Sequence, residues 1–198
     1  MKKAFVSLVL LCSTALCSAQ PEAGSVSIQP KLGINIANIT HGQGSDPRVG
    51  VVGGIEIQNQ VSQYLGLSYG ILYSMQGAKQ EASGVTATLK TDYLNVPILA
   101  NVYLYKGLAL KAGIQPGFNV VDKYKAASGG RSVTTGLSDI GITMKSFDFG
   151  IPFGISFEHK NVVFDARYIL GLTKFDEDED DDSRHRVIQI TLGYRFNR

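Results

Sequence analysis

The feature that most constrains this chain is an alternation of apolar and polar residues with a period of two, repeated in eight segments. From Val26 to Asn38 the apolar row is Val26, Ile28, Pro30, Leu32, Ile34 and Ile36, and Ser27, Gln29, Lys31, Gly33 and Asn35 fall between them. Side chains on a strand point alternately to its two faces, so such a segment is a strand with one apolar and one polar face. Seven more rows follow: Val49–Ile57, Leu65–Met75, Leu94–Leu104, Leu108–Val120, Phe147–Phe157, Val162–Leu172 and Ile188–Phe196. Most match the roughly 9–11 residues that a tilted strand needs to cross a bilayer.

The connections alternate in length. Tight turns are expected at Asn59–Ser62, Tyr105–Gly107 and His159–Asn161, and long loops at 40–48, 77–90, 122–145 and 174–184. Short–long alternation places all tight turns at one end of a sheet, the pattern of a transmembrane barrel. A soluble sandwich or lipocalin-like barrel binding a small apolar ligand is the alternative, with the apolar rows inside. The polar rows argue against it. They carry Gly50, Gly54, Gly66, Gly70, Gly113, Gly117, Gly150 and Gly154, small residues that suit the narrow lumen of an eight-stranded barrel. Their charges are Lys31, Glu56, Lys111, Asp148, Glu158, Asp165, Arg167 and Arg195, four of each sign, as mutual pairing inside a barrel requires. The central apolar rows hold no charge, and a Lys or Arg facing mid-bilayer costs about 2–4 kcal/mol. The expected fold is an all-β, eight-stranded antiparallel up-and-down barrel.

Residues 1–19 read as a signal peptide: Lys2 and Lys3, an apolar run from Ala4 to Leu11, and small residues at Cys17 and Ala19 before a cut at Gln20. The barrel domain is then 20–198. Both cysteines, Cys12 and Cys17, lie in the leader, so the exported product has no thiol chemistry. Without the two leader lysines, 17 basic and 17 acidic side chains remain, a balance that argues against nucleic acid as a partner.

Tyr93-Leu94-Asn95-Val96-Pro97-Ile98-Leu99 resembles a strand of PorT-like, porin-family outer-membrane β-barrel domains of the Bacteroidetes type. Asp148-Phe149-Gly150 with Gly154, Arg167-Tyr168 with Gly171-Leu172, and Leu192-Gly193-Tyr194-Arg195-Phe196 are similar to strings in that family. Asn101 and Ile114-Gln115 depart from its pattern. The resemblance implies an eight-stranded barrel in the outer membrane and names no activity. The terminal strand through Tyr194 and Phe196 resembles the signal read by the barrel assembly machinery.

No catalytic, cofactor or metal residue is assigned. His41 and His185, with Ser45 and Ser183 nearby, could sit at one rim, and a lipid A-modifying enzyme is one alternative; polar rim residues are the expectation. His159 falls in a tight turn. The acidic run Asp176–Asp182 lacks the spacing of a calcium loop and is expected to be a solvated loop tip, with divalent bridging to lipopolysaccharide a minor role. Asn38-Ile39-Thr40 is a chance sequon, and Gly53-Gly54 and Gly129-Gly130 lack a following Lys-Ser/Thr. Pro97 and Pro152 fall on the polar rows, where bulges or bends are expected. The expected partners are outer-membrane lipid, lipopolysaccharide and the assembly machinery, the protein being a monomer in a structural or surface-interaction role.

Overall fold

The computed structural model describes residues 22–39, 46–82, 85–105, 107–128, 131–136, 146–174 and 184–197. Among them, eleven strand segments follow in chain order: β1 (Val26–Ile39), β2 (Asp46–Gln60), β3 (Leu65–Ala82), β4 (Val85–Asn95), β5 (Ile98–Tyr105), β6 (Leu108–Ser128), β7 (Arg131–Gly136), β8 (Phe147–His159), β9 (Val162–Lys174), β10 (Arg184–Tyr194) and β11 (Phe196–Asn197). Their pairings are antiparallel, and β10 returns to β1, Lys31 opposite Gly193 and Ile39 opposite His185. That last pairing closes an eight-stranded barrel and leaves its wall without a free edge.

Eleven segments make eight staves because two staves are each split in two, one of them at a proline, and β7 pairs only with β6 beyond the barrel. β4 and β5 lie in one line, Asn95 and Ile98 keeping a common register against β6, and the break falls at Val96 and Pro97. Proline has no N–H for the ladder. β10 and β11 are likewise one line broken at Arg195, beside Pro30 of β1, where Asn161 of a tight turn supplies both backbone partners of Arg195. Pro152 behaves differently. The β6–β8 pairing lapses opposite it, yet Ala112–Phe153 and Gln115–Gly150 share one register, so the bulge expected there is absent. Register shifts fall instead at Pro47/Val52, Asp92/Tyr93, Tyr103/Tyr105 and Arg184/Arg186.

The outer wall is apolar. Leu32, Val49, Ile55, Ile71, Leu110, Phe153, Ile155, Phe164 and Leu192 all face out, with Leu32 66% and Phe153 46% exposed. Glu56 and Arg167 are 1% and 2% exposed, inside. The apolar rows thus point away from the barrel axis, which overturns the soluble reading with an apolar core. The tight turns lie together at one end, here the turn end.

The other end corrects the sequence reading. Segment 77–90 and the described part of 122–145, both expected as loops, are largely paired strand. β3 and β4 stay in register from Leu72–Asn95 up to Ala82–Val85. β4 pairs β6 as far as Val85–Ser128, and β7 adds Lys123–Gly136 to Ser128–Arg131. A four-stranded sheet of β3, β4, β6 and β7 therefore projects past the barrel rim. Alternation weakens there because neither face is set against lipid, so strand pairing left no period to read. The acidic run 176–182, His41, Ser45, Ser183 and the leader lie outside the described residues.

Candidate functional site: the ion-paired lumen

Inward rows from four staves, β1, β2, β6 and β9, converge halfway along the barrel. Lys31 on β1 and Glu56 on β2 meet at 2.5 Å, and Lys31 Nζ also reaches Asp165 Oδ2 on β9 at 3.1 Å. Lys111 on β6 donates to the same Asp165 oxygen at 2.6 Å. Arg167, two residues on and hence on the same face as Asp165, donates Nε to Oδ1 at 2.6 Å and Nη2 to Oδ2 at 2.8 Å. Its Nη1 lies 2.6 Å from Glu56 Oε1. Three cations thus share two carboxylates, and Arg167 forks over both in the bidentate geometry that suits a guanidinium.

Glycines make this cluster possible. Lys31 lies between Gly54 and Gly193 in the register, Glu56 beside Gly70, and Gly154 between Lys111 and Arg167. A Cβ on Gly193 would stand 2.9 Å from Lys31 Cγ, and one on Gly70 2.9 Å from Glu56 Cγ. On Gly154 it would strike the backbone oxygen of Ala166 and stand 2.8 Å from Arg167 Cα. The small residues legible in the sequence are therefore cross-strand neighbours of the large charged ones.

Towards the turn end, Arg195 pairs with Glu158 at 2.7 Å. The Tyr103 hydroxyl accepts from Arg195 Nη2 at 3.1 Å and from Gln58 Nε2 at 2.7 Å, and Gln29 joins through Gln58 Oε1 at 3.2 Å. Towards the loop end, Asn35 and Gln76 both donate to Ser74 Oγ, at 2.7 and 2.9 Å. Val52, Leu72, Ala37, Ile169 and Val187 are buried there too. Seven of the eight charges expected inside are ion-paired there. Asp148 sits near the loop-end mouth, and no ion pair of it occurs among the described residues.

Sequence reasoning missed Tyr103, Gln58 and Gln29, neutral side chains that complete the network, because a period of two marks their face and not their partners. It also missed a pairing of Arg48 with Asp92 at 3.5 Å, joined by the Tyr73 hydroxyl donating to Asp92 at 2.7 Å. Arg48 also donates to the Gln76 carbonyl. Arg48 was placed at the end of a loop, and Asp92 falls between the loop expected at 77–90 and the apolar row that starts at Leu94. His185 lies opposite Ile39 in the β1–β10 register, and His159 ends β8. Among the described residues no three metal-ligating side chains gather.

The family described as "Outer membrane protein beta-barrel domain" matches residues 18–177 of the sequence. The chain belongs to that family. Members of this family are outer-membrane proteins, and an exterior of exposed Phe, Ile, Leu and Val around a charged interior is the surface that location requires. No functionally curated protein matches the chain. Solved structures share the fold. Ail, the attachment invasion locus protein of Yersinia pestis, is 19% identical at a TM-score of 0.51, over 88% of this chain and 99% of that one. Neisserial surface protein A is 14% identical at 0.53, over 86% and 97%. OprG of Pseudomonas aeruginosa is 11% identical at 0.51, over 90% and 99%. The localisation and the barrel class follow, and the soluble ligand-binding reading falls.

Proposed function

We propose that this protein is a non-conducting, non-catalytic outer-membrane barrel whose role is structural or surface interaction. The observation that carries this reading is the occupied lumen. Lys31, Glu56, Lys111, Asp165 and Arg167 reach the axis from four staves, with Arg195, Glu158 and Tyr103 stacked below them. An eight-stranded barrel has an interior that side chains just fill. Here they fill it with bonded pairs whose separation would leave buried charges uncompensated. The short turns face the periplasm and the projecting sheet faces outward, as in barrels of this design. The terminal strand, with Tyr194 and Phe196 packed 4.7 Å apart on the outer wall, supports recognition by the assembly machinery. The strings around Pro97 and Arg195 support placement in the PorT-like branch of the family.

The test is electrical. Full-length protein refolded into planar bilayers is expected to give no steady unitary current. Discrete, reproducible conductance steps from the wild-type chain would overturn the reading.

A further inference from the structure

Above the barrel rim the hydropathy of the strands turns inside out. Within the barrel, Leu94 of β4 and Phe118 of β6 are opposite each other on the outer wall. The register shift at Asp92/Tyr93 inserts one extra residue into β6, so that Lys123 comes opposite Lys90, and Lys125 opposite Thr88. Counting along β4, Lys90 stands on the same face as Leu94, four residues or about 13 Å further along the strand. The outward face of the projecting sheet thus reads Lys90–Lys123–Gly136 in one row and Lys79–Thr88–Lys125–Thr134 in the next. The opposite face carries Leu89, Tyr124, Ala126 and Val133.

We propose that Lys90, Lys123 and Lys125 form a docking face for the phosphate groups of anionic outer-leaflet lipid. Two like charges directly opposite on a ladder repel each other, and Lys90 faces Lys123 in that way. Asp92, the acid next along this face, is already engaged by Arg48 and Tyr73. No ion pair of Lys90, Lys123 or Lys125 occurs among the described residues. An anionic partner is therefore wanted, and the position selects which one. The lysines continue the lipid-contacting wall just past its apolar band, the depth at which acyl chains give way to headgroups. A soluble anion would gain nothing from that continuity. The inference rests on the outward orientation of the projecting sheet given above, and goes beyond it in naming a ligand chemistry and its residues.

The full chain, refolded in zwitterionic micelles, is titrated with lipid A, and retained lipid is read by native mass spectrometry. Retention of lipid A and loss of binding to its dephosphorylated form are expected. Each Lys→Gln change at 90, 123 or 125 should weaken binding about fivefold, and all three together about a hundredfold. Lys160→Gln, in a tight turn at the other end, should leave it unchanged. Foldedness of each variant is checked by its gel shift without heating. Folded triple variant that retains lipid A like the wild type would sink the proposal. Equal retention of dephosphorylated lipid would do the same, as would full displacement by a sulfated polysaccharide at concentrations equimolar with lipid A, which would assign the face to soluble polyanions. Orientation fails separately: protease cleavage within 83–84 or 129–130 on intact cells reports it, and the micelle titration does not depend on it.

Discussion

The barrel and the sheet that projects from it are made of the same strands, yet they obey opposite rules. In β4 and β6 below the rim, Leu94, Leu110 and Phe118 face out, and Asn95, Lys111 and Gln115 face in. Above the rim, Lys90, Lys123 and Lys125 face out and Leu89 and Tyr124 face the other way. Strand pairing is continuous across the boundary and cannot set this difference. What changes is the medium around the wall. Lipid takes apolar side chains and forces every charge inward to a partner, whereas water beyond the membrane edge releases both constraints.

The sharpest way to break the comparison is to remove a charge from inside. Arg167→Leu strips the fork from Asp165 and Glu56 and leaves two buried carboxylates served by Lys31 and Lys111 alone. A loss of about 3–5 kcal/mol is expected, read by urea unfolding of the vesicle-inserted barrel. A change near zero would mean that the lumen is wet enough to solvate a carboxylate. Replacing all five central charges together with Met and Leu sharpens the point, since a fully apolar lumen should come out neutral to more stable on the same assay.

On the outer wall, Phe153→Arg should cost about 2–4 kcal/mol, because its position faces the acyl chains. Val133→Arg makes a similar chemical change on the projecting sheet, where the side chain is already 70% exposed. It should shift stability by less than about 0.5 kcal/mol. Equal costs at the two positions, measured side by side in the same vesicles, would erase the boundary inferred between them. Gly154→Ala probes the lumen's steric fit. Its new methyl meets the Ala166 backbone and Arg167, so a loss of about 1–3 kcal/mol is expected from unfolding midpoints. A loss of about 1 kcal/mol is assigned to Tyr73→Phe, which removes the hydroxyl from Asp92 while Arg48 remains.

Much of the barrel was legible because lipid enforces a strict period. Rows such as Phe147–Phe157 and Ile188–Phe196 must stay apolar on one face over the full membrane thickness, so alternation survives in the sequence. The four expected charges of each sign inside were legible by exclusion, since no other face could hold them. Their partners were not. Lys31 bonds Asp165 134 positions away, a contact fixed by barrel closure and by glycines at Gly54 and Gly193.

The sequence by itself determined the class of the wall, which residues face lipid, and that the buried charges balance. Those properties depend on local alternation and composition, which any register of these strands would preserve. Only the tertiary structure decided that 77–82, 85–90, 122–128 and 131–136 are sheet, that a one-residue shift at Asp92/Tyr93 brings Lys123 opposite Lys90, and that Arg167 is the fork of the lumen. Each of these depends on cross-strand register, which is set by closure of the ring and by the prolines and bulges within it.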